Sequence, residues 1–369
     1  MKSFAALALF GALVAAGPVD NQNNTTSTNI TTILTHEPDT TTAQLTITNN
    51  GNETLRCFVP GSILDDAPVE KVVVSTNGVR VPFEGVRLRI APPSMITDDS
   101  YMVIEAQQTV DRTIDIAELH DLSSGGDFNV TAKGGMRCAT GDSTELTSWV
   151  PFKSNTLHIK DVNGTQAAIT RRDFHAEAKR VAVQPGCTAA QSTAVNNALT
   201  HCTNLAKDAA RAVMLDDKKT MEFFKTTDQA TRRNISIAFS KVSNECGSRL
   251  AANKGTALAV ANPVSKLYCT DVYSSCRPGV LAYTLPSQNY MVNCPLYFSA
   301  LPSLTSTCHA QDQSTTTLHE MTHLTFIKGT LDWGVYGYTG IKALTAAQNY
   351  NHADTYCLFA NSVNIGKTC

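Results

Sequence analysis

The first half of the chain alternates apolar and polar residues with a period of two. Leu45 and Ile47 alternate with threonines, and the same alternation recurs over residues 86–90. Successive side chains of a strand point to opposite faces, so this pattern predicts strands with one buried face. Turn residues between the runs favour an all-β, sandwich-like domain over about residues 43–160. Its only cysteines, Cys57 and Cys138, are predicted to pair.

The second half changes to helical spacing. Apolar residues recur every three or four positions over 195–213 and again over 235–242, which predicts two amphipathic helices. An extended pattern over 267–298 predicts a hairpin that turns at 286–289 and is clamped by Cys276 and Cys294. Helical spacing resumes after residue 308 and over 346–363. The predicted class is α+β, mostly helical with a small sheet.

The N-terminus indicates a secreted protein. Lys2 precedes an apolar run that ends in small residues, so residues 1–16 are predicted to be a signal peptide. No stretch is long enough to span a bilayer. Seven Asn-X-Ser/Thr triplets, which begin at Asn23, Asn24, Asn29, Asn52, Asn129, Asn163 and Asn234, predict an extracellular glycoprotein. In that compartment most of the eleven cysteines are expected to form disulfides.

Charge divides the chain into two complementary parts. The formal net charge of -2 gives no reason to expect a nucleic-acid or membrane partner. Residues 1–180 carry 15 basic and 21 acidic groups, whereas residues 181–369 carry 15 and 11. We therefore expect the first part to dock on the second as an intramolecular inhibitor. Residues 17–180 are interpreted as a pro-region that ends in a linker, with cleavage predicted after the pair Lys179-Arg180.

Residues 181–369 carry the candidate chemistry. His319 and His323 are four residues apart, and Glu320 directly follows the first. Positions i and i+4 share a helix face, so both imidazoles can bind one zinc ion at roughly 2.0 to 2.1 Å. Zinc acidifies a water molecule, and the carboxylate takes its proton and passes it to the leaving amine. The motif predicts peptide hydrolysis without a covalent intermediate.

The residue pattern alone does not identify the third zinc ligand. A downstream glutamate is impossible because Glu320 is the last glutamate of the chain. The position six residues after His323, where some zinc proteases carry a histidine, is Gly329. The remaining candidates are Asp332, His352 and Asp354, of which His352 is expected on another face of its helix and therefore in a surface or packing role.

Residues 181–369 resemble the deuterolysins, fungal secreted zinc endopeptidases with the pattern HExxH, then GTxDxxYG, then a further aspartate. Other matching segments are Glu222–Asp228, Leu281–Ser287 and Cys308–Gln313. The resemblance implies that His319, His323 and Asp354 bind zinc, that Glu320 is the base, and that Tyr297 and Asp332 are catalytically important. Tyr297 would stabilise the oxyanion, and Asp332 would orient a ligand or the substrate. Within the segment Gly329–Gly337, the aspartate and the tyrosine are separated by one residue more than in the family pattern.

The resemblance also implies three disulfides, which are Cys187–Cys269, Cys276–Cys294 and Cys308–Cys369. Of the remaining cysteines, Cys202 and Cys246 fall on or next to the two predicted helices and are expected to pair. Cys357 would then be free and buried.

The sequence thus predicts a monomeric, secreted zinc endopeptidase made as a zymogen, with one Zn²⁺ per chain and protein or peptide substrates. The alternative is a secreted binding protein in which zinc is a structural clip. A third possibility is a relative inactivated by the longer segment after Gly329.

Overall fold

A computed structural model describes residues 30–140, 148–181, 186–254, 263–366 and 369. The signal peptide and the sequons at Asn23, Asn24 and Asn29 lie outside these residues, and so do the side chains of Lys179 and Arg180. The described chain is a mixed α/β structure with four sheets. None of its described helices combines the length and apolar character that crossing a membrane requires.

The strands of the described residues are β1 (Ile30–His36), β2 (Thr42–Asn49), β3 (Leu55–Phe58), β4 (Val73–Thr76), β5 (Val79–Arg80), β6 (Arg87–Ile90), β7 (Tyr101–Ile104), β8 (Thr109–Asp115), β9 (Gly126–Thr131), β10 (Lys133–Thr140), β11 (Ser148–Lys153), β12 (Leu157–Val162), β13 (Lys266–Tyr268), β14 (Val280–Leu285) and β15 (Tyr290–Asn293).

The α-helices of the same residues are α1 (Ile116–Leu119), α2 (Gly164–Val181), α3 (Ala189–Leu215), α4 (Asp217–Phe224), α5 (Gln229–Asn253), α6 (Pro295–Ala300), α7 (Gln313–His323), α8 (Gly337–Ala343), α9 (Ala346–Tyr350) and α10 (Ala353–Ile365). Short 3₁₀ helices lie at Pro93–Met95, Asp98–Ser100 and Pro286–Gln288.

Three sheets build the N-terminal region, in the orders β1-β2-β8, β11-β10-β3-β7 and β12-β9-β4-β5. In β2 the buried positions alternate strictly and include Ala43, Leu45 and Ile47, as the period of two predicts. The first strand starts at Ile30, ahead of the predicted boundary at residue 43. Buried side chains from all three sheets form one core, and the predicted Cys57–Cys138 disulfide crosslinks β3 and β10.

Helices interrupt the expected all-β pattern of this region. Residues 164–181 form helix α2 instead of an irregular linker, and α1 precedes it. A second pair of basic residues, Arg171 and Arg172, lies within α2. The Arg171 guanidinium bonds the Glu84 carboxylate.

Helices α3 and α5 form the largest packing contact of the C-terminal region. Thr188 begins α3 with a capping box, in which its hydroxyl and the Gln191 side chain each satisfy a backbone amide. The apolar face of α3 packs on α5, and the Cys202–Cys246 disulfide joins the two helices. The three disulfides that the family resemblance implies are also present, and Cys357 is buried without a disulfide.

The fourth sheet is shared by the two regions. Its order is β13-β15-β14-β6, so a strand of the N-terminal region completes a sheet of the C-terminal region. Val86, Leu88 and Ile90, on or next to β6, pack in one apolar cluster with Val280 and Tyr283 of β14. The shared sheet lies beside α7 and therefore places β6 next to the candidate site.

Candidate metal centre

Helix α7 carries the two histidines through the middle of the C-terminal core. All eleven of its residues are buried, although only Leu318 and Met321 are aliphatic. The Asp312 carboxylate caps the helix, and its Oδ1 accepts from the Thr315 amide at 2.6 Å. Burying so many polar groups is costly unless each has a partner. The polar face of α7 therefore has a role that packing alone does not explain.

The partners of the two imidazoles determine which nitrogens carry hydrogen. His323 Nδ1 lies 2.9 Å from the Thr330 carbonyl oxygen, and His319 Nδ1 lies 2.9 Å from Asp354 Oδ1. His323 Nδ1 therefore donates to the carbonyl and His319 Nδ1 to the carboxylate, an assignment that leaves a lone pair on each Nε2. Arg89 Nη1 of β6, which also lies 3.0 Å from His319 Nδ1, pairs with the Asp354 carboxylate and not with that nitrogen. The two Nε2 atoms face each other at 3.1 Å. Two Nε2 lone pairs at this separation suit a cation held between them, and a histidine that binds a metal commonly donates its other ring nitrogen to a carbonyl or carboxylate oxygen.

Asp332 supplies the third atom of this group. Its Oδ1 lies 3.2 Å from His319 Nε2 and 3.4 Å from His323 Nε2. Three ligand atoms at tetrahedral angles around a zinc ion, each roughly 2.0 to 2.1 Å from it, lie about 3.3 Å from one another. The three atoms form a triangle of that size. Asp332 Oδ1 also accepts no hydrogen bond, as expected where both facing nitrogens lack hydrogen.

A buried histidine holds the loop that carries Asp332. His352 Nε2 lies 3.0 Å from the carbonyl oxygens of both Asp332 and Val335. Burial lowers the pKa of His352 to about 4, so the ring stays neutral and donates from Nε2. Leu331 and His352 also form a β-bridge. The sequence favoured a surface or packing role for His352, and the structure shows the ring buried and bonding the loop backbone.

Glu320 lies close enough to His323 and Asp332 for their charges to act on its carboxyl group. The Thr284 hydroxyl of β14 donates to its Oε2, whereas Oε1 is buried without a hydrogen-bond partner. Burial raises the pKa of Glu320 to about 7. A carboxyl group in this range exchanges a proton readily near neutral pH. The free Oε1 is therefore suited to take a proton from a water molecule at the centre.

The two aspartates occupy positions that differ from those the family resemblance implied. Asp354 was the expected zinc ligand, yet its Oδ1 lies against His319 Nδ1, and its Oδ2 accepts from the Gly337 amide at 2.6 Å. Asp332 was the expected orienting group, yet it shares the Nε2 side with both histidines. The sequence could not separate the two because each follows the helix at a distance that depends on loop geometry.

The two tyrosines also differ from expectation. The Tyr297 hydroxyl is fully buried, 3.2 Å from the Gln313 carbonyl oxygen and 3.1 Å from the Thr317 hydroxyl. These partners lie in the first turns of α7, so Tyr297 packs against the helix. Tyr336, which the sequence analysis did not select, follows the Asp332 loop and is the tyrosine of the GTxDxxYG pattern. Burial first, and then the Asp332 charge, raise its pKa well above the ordinary value.

A cation from the N-terminal region already lies on the far side of His319. The fully buried Arg89 of β6 bonds Asp354 Oδ1 through Nη1. The same Nη1 lies 3.0 Å from His319 Nδ1, and Nη2 lies 3.7 Å from Cys357 Sγ. His319, Asp354 and Cys357 could otherwise group around a metal ion. The guanidinium occupies that position, so the Nε2 side is the better candidate for zinc.

Nearly the whole chain is similar to known proteins. Residues 2–367 match the model of the Deuterolysin metalloprotease (M35) family. A "Neutral protease 2 homolog" of Colletotrichum graminicola is 45% identical over 321 residues, which cover 87% of each chain. One from Arthroderma gypseum is 37% identical over 377 residues, which cover 98% of this chain and 97% of that protein. A solved zinc peptidase from Grifola frondosa aligns with 47% of this chain and 96% of its own, at 15% identity and a TM-score of 0.37.

Proposed function

Because the chain belongs to the deuterolysin metalloprotease (M35) family, we propose that His319, His323 and Asp332 hold one zinc ion and that Glu320 is the general base. The protein is a metalloendopeptidase by family, and proteins are its substrates. The assignment of roles rests on the triangle formed by the Nε2 atoms of His319 and His323 and Oδ1 of Asp332. Glu320 Oε1, which has no hydrogen-bond partner, belongs to the same site. Two nitrogen donors and one carboxylate oxygen suit a zinc site that keeps a position open.

The protein groups divide the chemistry among them. A zinc ion supplies a Lewis acid that polarises the substrate carbonyl and acidifies water. Glu320 Oε1 accepts a proton from the attacking water and delivers it to the leaving amine. The Tyr336 hydroxyl donates a hydrogen bond to the carbonyl oxygen as negative charge develops there. Asp354 holds the His319 tautomer and ring orientation through Nδ1.

A purely structural zinc site is the weaker alternative. An unpartnered oxygen on a fully buried carboxyl group destabilises the fold, and a structural site has no use for one. A hydrolase needs it free to take the proton.

Exchange of Glu320 for glutamine tests the proposal. Glu320→Gln keeps the shape of the side chain but removes the basic oxygen. We expect zinc to stay bound at one ion per chain while turnover of casein falls by roughly two to four orders of magnitude. Glu222→Gln, the same exchange at an exposed glutamate of the same region, should change turnover less than twofold. Unchanged turnover in Glu320→Gln would exclude this mechanism.

We further propose that the protein is secreted as a zymogen. Residues 1–16 would be removed as the signal peptide, and cleavage after Arg180 would separate the pro-region from residues 181–369. Asn52, Asn163 and Asn234 are exposed, which makes these sequons accessible to glycosylation. The intact mass of the secreted protein, measured before and after removal of glycans, tests both points. A mature chain that begins at Val181 is the expected product.

A further inference from the structure

Strand β6 of the pro-region pairs with the strand that lies beside the catalytic glutamate. Leu88 pairs with Tyr283 and Arg87 with Thr284, in antiparallel register. Thr284 is the residue whose hydroxyl bonds Glu320. The opposite edge of β14 is already paired with β15. β6 therefore occupies the one edge of β14 at which an extended peptide could add to this sheet.

A backbone carbonyl of β6 is bonded by the proposed oxyanion donor. The Tyr336 hydroxyl donates to the Leu88 carbonyl oxygen at 3.0 Å. In the proposed reaction the same hydroxyl donates to the carbonyl of the bound substrate. The pro-region thus presents a peptide carbonyl to a group that the substrate would use.

The side chain that follows in the chain anchors the strand. Arg89 is completely buried, and its guanidinium contacts Asp354, His319 and Cys357. A buried guanidinium is costly unless it is paired with an anion, and Asp354 provides that anion. Withdrawal of β6 from the site would break this ion pair, which makes withdrawal unfavourable.

Two other contacts between the regions involve residues that come before and after β6 in the chain. Arg277 pairs with Asp65 at 2.5 Å, and Arg137 Nη2 donates to the Gly334 carbonyl oxygen at 2.9 Å. These contacts add to the docking of the pro-region, and β6 itself reaches Asp354, which orients His319.

We propose that β6 is the inhibitory strand of the zymogen, bound along β14 as an extended substrate would be, and that Arg89 locks it in place through Asp354, the carboxylate that orients His319. This inference rests on the proposed function and specifies how the same site is kept inactive. Cleavage after Arg180 then allows the pro-region to leave with β6, which opens the edge of β14 and frees Asp354.

Substitutions in the uncleaved full-length chain test the lock. Arg89→Ala should raise its peptidase activity at least tenfold, with the intact mass showing that residue 180 is not cleaved. Arg87→Ala is the matched control, because Arg87 is on the same strand but pairs with Glu70 at 2.9 Å, outside the centre. It should change activity less than twofold. Arg89→Lys, which keeps the charge, should restore most of the inhibition. Equal activation by Arg89→Ala and Arg87→Ala would overturn the proposal, and so would full inhibition in Arg89→Ala.

A binding measurement separates this proposal from the proposed function and does not depend on folding of a pro-region variant. A fluorescent synthetic peptide of residues 84–93 is titrated into processed, zinc-loaded protein that carries Glu320→Gln, and fluorescence anisotropy reports binding without any activity. We expect the Arg89→Ala peptide to bind at least tenfold more weakly than the unaltered peptide, and the Arg87→Ala peptide to bind within threefold of it. Equal binding of the unaltered and Arg89→Ala peptides would refute the lock even in an active peptidase. A tenfold difference would support it even if the hydrolytic assignment failed.

Discussion

Two glutamates, the partly buried Glu70 of the N-terminal region and the fully buried Glu320 of the C-terminal region, show how differently the same side chain is used. In the N-terminal region, Glu70 pairs one oxygen with Arg80 and the other with Arg87. Burial alone would raise its pKa, but the two guanidinium charges lower it below the ordinary value. In the C-terminal region, Glu320 has no such cation at Oε1, and burial raises its pKa to about 7.

The difference separates a structural group from a reactive one. A fully paired carboxylate stabilises its surroundings and has no capacity for further chemistry. A carboxyl group left with a free oxygen costs stability, and this cost is expected where a reaction partner arrives later. The same contrast applies to Asp332, whose Oδ1 accepts no hydrogen bond although it is nearly buried.

The largest effect expected from this comparison concerns the two aspartates. In processed protein, Asp332→Ala should weaken zinc binding more than a hundredfold, because it removes one of three ligands. Asp354→Ala should weaken it by about 10- to 100-fold, the range typical of groups that orient a ligand. Competition with a chromophoric chelator measures both. A larger loss in Asp354→Ala would show that the family-based expectation was right and the geometric interpretation wrong.

The partly buried Tyr336 and the fully buried Tyr297 provide the next contrast. Tyr336→Phe in processed protein should lower turnover by about a hundredfold, since one donor to the developing oxyanion is lost. Tyr297→Phe should leave turnover within twofold and lower the free energy of unfolding by about 1 kcal/mol through the lost hydrogen bond. Steady-state hydrolysis and urea unfolding of both variants provide the comparison. A greater loss of turnover in Tyr297→Phe would return the catalytic role to that residue.

The smallest expected effect is a pH dependence of the stability of the N-terminal region. Burial lowers the pKa of His120 from 6.5 to about 4, so between these values the unfolded chain binds more protons than the folded one. Stability should therefore fall as the pH drops below 6.5, by on the order of 2 kcal/mol at pH 5. Urea unfolding at pH 7 and pH 5, with hydrogen exchange in residues 109–131, measures this loss.

Replacement of His120 by glutamine should remove that part of the pH dependence. His158→Gln, an exchange at an exposed histidine of the same region, should leave it unchanged. A pH dependence that persists in His120→Gln would assign the effect to another group.

Local patterns predicted much of the fold because they report on one face of one element at a time. The period of two identified β2, and spacings of three and four identified α3 and α5. The prediction failed where composition was given more weight than pattern. Thr32 and Leu34 alternate with exposed residues in β1, and threonine is a good strand former. The prediction of a linker over residues 164–186 failed for residues 164–181, which have no proline and no glycine after Gly164 and form a helix.

The sequence determined one part of the candidate centre, and the tertiary structure determined the other. The spacing of His319 and His323 determined that both imidazoles lie on one helix face, with Glu320 next to them, because helix geometry is local. Which aspartate faces Nε2 depended on the tertiary structure, since Asp332 is held by a bond from a histidine 20 residues further along the chain. The position of β6 next to the centre could not be predicted from the sequence either. Arg89 lies 230 residues before His319, and no periodicity links residues that only the packing of two regions brings into contact.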